Sequence, residues 1–156
     1  MHFHYIYISS INHHILISET KPANFDSGIF AVGIYLVHDG KILLLKYKTK
    51  YGGQWTIPSG KTDFQEDKLD AVLREVREEA GILLHSEQVH YLYYAYVQYP
   101  KIDFLWFVYL ATLTKKPPVH LSDEHSEYIW VTPQEALTMD LIEHEDWCIK
   151  KAFGLK

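Results

Sequence analysis

The chain has 156 residues, 47% of them hydrophobic and 15% aromatic, and carries a formal net charge of -5 at pH 7. That length suits one folded domain with a core large enough to need no staples, and the composition excludes a disordered or low-complexity protein. The acidic balance argues against a broad grip on a nucleic-acid backbone such as a DNA duplex, which takes a basic surface. It leaves room for a small polyphosphate whose charge is met locally by a divalent ion. Cys148 is the single cysteine, so no intrachain disulfide forms, and a reducing, cytoplasmic setting is expected. No stretch has the length of a membrane span, and the opening residues lack the basic start and unbroken apolar run of a signal peptide. A soluble protein with no membrane partner is expected, as a monomer or homodimer.

Residues 1–27 read as an N-terminal extension with short strands at 3–8 and 15–17 and a linker carrying Pro22; residues 28–156 read as the domain proper. His2, His4, His13 and His14 show no ordered ligand spacing and read as surface histidines. Residues 29–37 and 41–47 are apolar segments separated by His38-Asp39-Gly40, a hairpin signal. A polar, Gly-containing stretch at 48–54 reads as a mobile loop leading to a strand at 55–57, which Pro58 stops. After Gly81, residues 89–98 and 104–114 read as aromatic-rich strands, with a shorter strand at 128–131. Thr132 and Pro133 have the character of a helix cap and first helical position. A final amphipathic segment surrounds Trp147, Ile149 and Phe153. Strands on both sides of one helical segment, with helices late, indicate an α+β sandwich.

The central helix carries the chemistry. Glu75, Glu78 and Glu79 stand at i, i+3 and i+4, beside an apolar stripe of Leu69, Val72, Leu73, Val76 and Ala80. Like charges at that spacing cost a helix a few tenths of a kcal/mol per pair, and a bound cation reverses the sign. Oxygen-only ligands suit Mg²⁺, with Mn²⁺ as a substitute. Because Mg²⁺ is held by a few carboxylates together with substrate phosphates, the expected substrate is a phosphoanhydride.

Pro58-Ser59-Gly60 precedes the run, Glu66 and Arg74 follow at fixed intervals, and Gly81-Ile82 ends it. This punctuation resembles the signature of the Nudix hydrolases, Gly-x5-Glu-x7-Arg-Glu-(aliphatic)-x-Glu-Glu-x-Gly-(aliphatic), with every fixed position filled by Gly60, Glu66, Arg74, Glu75, Val76, Glu78, Glu79, Gly81 and Ile82. The resemblance implies an α/β/α sandwich around a mixed β-sheet, with the motif as loop, helix, loop. It implies Glu78 and Glu79 as principal metal ligands, Glu75 as a further ligand or the group that deprotonates water, and the main-chain carbonyl of Ser59 as another ligand. Arg74 is expected to orient the following glutamate, while Gly60, Glu66 and Gly81 hold the motif's shape. Two departures stand out: Ser59-Gly60 in place of two glycines, and Asp63-Phe64-Gln65-Glu66 in place of an acidic-x-Gly-Glu turn.

Outside the motif, Glu124 in Asp123-Glu124-His125 is the candidate fourth acid, a ligand or catalytic base, and His125 reads as incidental. Tyr96, Tyr99 and Phe104 are the candidates for stacking a nucleobase. The expected activity is a Mg²⁺-dependent pyrophosphohydrolase acting on a nucleoside diphosphate linked to another moiety. A nucleoside triphosphate ranks first as its small-molecule substrate and a dinucleoside polyphosphate second. A nucleotide-sensing module without catalysis is the alternative class.

Overall fold

The computed structural model describes residues 7–8 and 16–156. The four early histidines and most of the first predicted strand lie outside the described residues. Among the described residues, nine strands and three α-helices follow in chain order: β1 (Tyr7–Ile8), β2 (Leu16–Ser18), β3 (Phe30–His38), β4 (Lys41–Tyr47), β5 (Trp55–Thr56), β6 (Ser59–Lys61), α1 (Lys68–Ala80), β7 (Val89–Tyr99), β8 (Ile102–Thr112), β9 (His125–Val131), α2 (Pro133–Ala136) and α3 (Glu145–Phe153). The main path of the sheet runs β1-β2-β7-β8-β3-β4-β5, with β6 paired to β3 and β9 to β4. β3 and β8 are parallel, from Phe30 against Leu105 to Val37 against Thr112, and the other pairings are antiparallel. The sheet is therefore mixed, as expected.

Strand alternation gives the sheet two apolar faces. On β3 and β4, Val32, Ile34, Leu36, Leu43 and Leu45 pack with Ala71, Val72, Val76 and Ala80 of α1. Tyr35, Ile42 and Leu44 point the other way and pack with Cys148 and Ile149 of α3. Nearly continuous apolar runs on β3 and β4 follow from this, because a sheet covered on both faces has no solvent side. Helices on both faces give the α/β/α sandwich. Ile17 of β2 is buried within the α3-side core.

β3 meets β4 only at the hairpin end, through Val37–Ile42 and His38–Lys41. Asp39 and Gly40 make the turn with φ of 48° and 74°, the double left-handed turn that Asp-Gly signals. Toward its N-terminal end, β3 takes Ser59 to Lys61 as its neighbour instead. This split of the two strands inserts the start of the motif beside the sheet and points the following helix across it. The loop at 48–54 contains a tight turn at Lys50–Gly53, in which Tyr51 and Gly52 are left-handed at φ 49° and 64°.

Both ends of α1 have local causes. The Asp67 side chain accepts hydrogen bonds from the Leu69 and Asp70 amides, satisfying free N–H groups of the first turn. Gly81 ends the helix at φ 67°, and its N–H donates to the Arg77 carbonyl. The turn before the helix keeps a left-handed residue at position 65, although that residue is Gln65 with φ 59°, and the Glu66 N–H closes it on the Asp63 carbonyl. The absence of glycine there does not abolish the turn but leaves it strained. Left-handed backbone costs a non-glycine residue about 1–2 kcal/mol, while glycine gives back roughly 0.4–1 kcal/mol through unfolded-chain entropy. Gln65→Gly should therefore stabilise the fold slightly, by less than about 1.5 kcal/mol in urea denaturation. A loss of stability would show that the Gln65 side chain matters more than its φ.

Candidate active site

The motif carboxylates do not share one environment. The Glu79 side chain is 7% exposed, Glu75 13% and Glu78 54%. The helical wheel places Glu78 and Glu79 on either side of Glu75, but only the Glu79 side turns toward the sheet. Glu79 consequently sits behind Ser59, whose backbone N–H donates to its Oε1 at 3.1 Å.

Arg74 organises the exposed side of the cluster. Its Nε and Nη2 donate to Glu66 Oε1 and Oε2 at 2.7 and 3.0 Å, a bidentate pair of the strong kind. Nη1 reaches Glu75 Oε1 at 2.8 Å and Glu78 Oε2 at 3.2 Å, and Nη2 also donates to the Lys61 carbonyl at 3.0 Å. Arg74 thus orients Glu75 and pairs with Glu78 at the same time. Glu66 fixes Arg74 from the loop while accepting the Asp63 N–H at 2.8 Å, and its hydrogen bond from Arg74 holds its carboxyl below the usual carboxylate range.

Gly60 is required by close approach. A Cβ there would lie 2.1 Å from Glu75 Oε1, so the Glu75 carboxylate rests directly on the motif backbone. Gly81 has a second constraint besides its φ, because a Cβ would stand 2.8 Å from Cβ of His120.

The end of α1 also delivers the second acidic loop. The carbonyls of Glu79 and Ala80 accept hydrogen bonds from the Ser122 and His120 amides, tying residues 120–122 to the helix terminus. Glu124 lines the same cleft as the cluster, with Lys50 Nζ 3.5 Å from its Oε1. His125 begins β9, which extends three residues earlier than predicted. Its ring lies against Tyr47, centroids 4.7 Å apart, and its Nε2 is 3.5 Å from Glu79 Oε2.

A cleft of about 870 Å³ joins these groups to an aromatic wall. Tyr99 and Phe104 line it, stacked with centroids 5.7 Å apart and planes 22° apart. Trp106 and the segment from Ile142 to Glu145 extend the wall. Tyr96 is not brought to the cleft. It alternates with Val97 to the α1 side of β7, where it meets the Phe25 ring edge-on at 5.0 Å. Conversely, Tyr51 lines the cleft from its left-handed position, 53% exposed. The sequence marks Tyr51 only as an aromatic residue beside Gly52-Gly53.

Burial and the neighbouring Glu75 push the Glu79 carboxyl up to about 9, and burial raises Glu75 as well. Among the described residues, no three acidic or histidine side chains already converge on one point as a finished metal site. Arg74 occupies Glu75 Oε1 and Glu78 Oε2. The donor set nevertheless fits a hard divalent cation: all its donors are oxygen, and Glu79 Oε2 is buried without a hydrogen bond. Linkage sets the sign of the pH dependence. Because Glu79 titrates higher folded than unfolded, its penalty on folding is absent below about pH 4.5 and grows as pH rises toward 9. In chelator, Glu79→Gln should therefore be more stable than the parent protein at pH 8, with the gap closing by pH 5, as read from urea denaturation. A gap independent of pH would contradict this electrostatic assignment.

Comparison with known proteins matches this architecture. The NUDIX domain model matches residues 29–152. The chain is 34% identical over 110 residues to the bis(5'-nucleosyl)-tetraphosphatase [asymmetrical] of Caenorhabditis elegans, covering 67% of this chain and 78% of that protein. It is 28% identical over 116 residues to the nucleoside triphosphatase NudI of Escherichia coli, covering 67% and 82%. The solved MutT NUDIX hydrolase of Burkholderia pseudomallei superposes with a TM-score of 0.70 at 27% identity, over 81% of this chain and 98% of that one. With the motif's fixed positions filled, its helix laid across a mixed sheet and the family model spanning most of the chain, this protein belongs to the NUDIX family of pyrophosphohydrolases.

Proposed function

We propose that this protein hydrolyses a phosphoanhydride bond in a dinucleoside polyphosphate, in a reaction dependent on Mg²⁺ or Mn²⁺. One observation carries the reading: a half-buried carboxylate cluster held by Arg74 opens into a large cleft whose far wall is the Tyr99–Phe104 stack. Anionic phosphates then lie toward the cluster and its cation, and a base toward the rings. The greater identity to the C. elegans tetraphosphatase than to the E. coli triphosphatase supports a dinucleoside substrate. This reverses the order of the two substrates expected from sequence. A nucleoside triphosphate is the second reading, favoured by the relation to NudI.

Glu75, Glu78, Glu79 and the Ser59 carbonyl are the groups that would hold the cation. When bound, a divalent ion supplies positive charge to the phosphate oxygens and acidifies water. The chain's own residues set the geometry around it. The Ser59 N–H fixes Glu79 Oε1, and Arg74, itself fixed by Glu66, fixes Glu75. In this reading Glu75 takes a proton from the attacking water, and Glu124 is the alternative acceptor. The Lys50 and Lys61 ammonium groups bring further positive charge to the cleft. Tyr99 and Phe104 offer ring faces for a base, worth roughly 1–3 kcal/mol per stacked base.

The direct test is a screen of dinucleoside polyphosphates, nucleoside triphosphates and nucleotide sugars with Mg²⁺, detecting released phosphate after a coupled phosphatase. The dinucleoside polyphosphate should give the highest kcat/KM. Failure to turn over any phosphoanhydride would overturn the proposal. Glu79→Gln and Glu78→Gln should each fold and lower kcat by roughly 10³-fold or more, equivalent to several kcal/mol of transition-state stabilisation. Gly60→Ala should displace Glu75 without unfolding the chain, because its added Cβ meets the end of a flexible side chain. A misplaced reacting group of that kind lowers kcat by about 10²-fold, and near-normal turnover in Gly60→Ala would show that the Glu75 position is not critical.

A further inference from the structure

We infer that His125 is a positioning residue for the Glu79 carboxylate, holding the Oε2 oxygen as the Ser59 N–H holds Oε1, so that Glu79 is presented to a divalent cation in one orientation. The inference rests on the proposed cation-dependent reading and assigns a role within it to a residue outside the motif.

Two buried groups face one another here. His125 is 2% exposed and Glu79 5%. Neither ring nitrogen of His125 and not the Oε2 of Glu79 has a hydrogen-bond partner, yet Nε2 and Oε2 stand 3.5 Å apart. A buried polar atom without a partner carries a desolvation cost, and shortening this approach by about 0.5 Å makes an ordinary hydrogen bond. The ring is held in place from its flat side by Tyr47, which is itself buried. From the chain side it is held by the His125 N–H, which donates to the Ser122 carbonyl. Ser122 is in turn bonded to the Glu79 carbonyl, so the two residues are fixed to one another through the backbone as well.

A neutral imidazole suits this place for a chemical reason. It carries one N–H and one lone pair, and exchange of tautomers lets Nε2 accept from a protonated carboxyl or donate to an ionised one. Carboxylates that ligate metals are regularly hydrogen-bonded from behind, and loss of such a partner lowers metal affinity 10- to 100-fold.

The test compares His125→Phe, which keeps the ring and loses both nitrogens, with His125→Gln, whose amide reaches a similar point and both donates and accepts. Mn²⁺ affinity is measured by titration calorimetry on the full chain, alongside hydrolysis. The expected result is a Kd for Mn²⁺ at least tenfold weaker in His125→Phe and within about threefold of the parent in His125→Gln. Equal Mn²⁺ affinity in His125→Phe and the parent overturns the inference, as does a Gln variant as impaired as the Phe variant. Nitrogen-15 NMR of the imidazole in the parent protein gives a readout that survives misfolding of either variant. The Mg²⁺-loaded protein must carry its proton on Nε2, and a proton on Nδ1 overturns the inference. If the parent itself binds no Mn²⁺ and hydrolyses no phosphoanhydride, the cation-dependent reading fails and the His125 role fails with it. If the parent does both and the variants match it, the His125 role alone fails.

Discussion

Three carboxylates on one turn of helix, pressed against the end of a sheet, repel one another, and most of the local design answers that repulsion. One guanidinium does much of the work. Arg74 touches Glu66, Glu75 and Glu78 at once, and it is itself kept in place by the bidentate bond to Glu66 and by the Lys61 carbonyl. Glu79 is beyond its reach and is instead held toward its protonated form by burial and by Glu75. The protein therefore carries two solutions side by side: a permanent cation for the outer carboxylates and a proton for the inner one. The proton is the exchangeable partner of the two, and the proposed cation would displace it.

The fold makes this arrangement possible by splitting a hairpin. β3 and β4 stay paired only near Asp39-Gly40 and then diverge, leaving β3 free to take β6 and β4 free to take β5 and β9. Into the gap come Ser59 and Gly60 from one side and the 120–125 loop from the other. The apolar stripe of α1 fixes the helix to the sheet face, so the orientation of the acids is set by packing of Val72, Val76 and Ala80 rather than by contacts among the acids themselves. Stability and site geometry come from neighbouring faces of one helix, and Glu79, buried at their boundary, belongs to both.

Much of this was legible in the sequence, for particular physical reasons. Period and spacing located α1, its Gly81 end and the carboxylates, because a helix repeats regularly and glycine marks its stop. Asp39-Gly40 and Thr132-Pro133 marked a turn and a helix start through backbone preferences that hold in any context. Other features depend on packing that no local pattern encodes. Ser59–Lys61 has no strand propensity and becomes a strand because β3 has an open edge there. Alternation puts Tyr96 and Tyr99 on opposite faces of β7, but with tyrosines on both faces no local pattern says which face meets the cleft. The unequal burial of Glu78 and Glu79 follows from which flank of the helix meets the sheet, and the depth of His125 from a strand that starts earlier than its apolar residues suggest.

In the proposed site Glu75, Glu78, Glu79 and the Ser59 carbonyl converge on a divalent cation once the Glu79 proton is displaced. Anomalous diffraction from crystals of the protein grown with Mn²⁺ and a nonhydrolysable dinucleoside polyphosphate locates such an ion without reference to turnover. An anomalous peak is expected among the Glu75, Glu78 and Glu79 carboxylates, with ligand phosphates on its open side. Bound nucleotide with no peak at these carboxylates, or with the ion held elsewhere in the cleft, would contradict it.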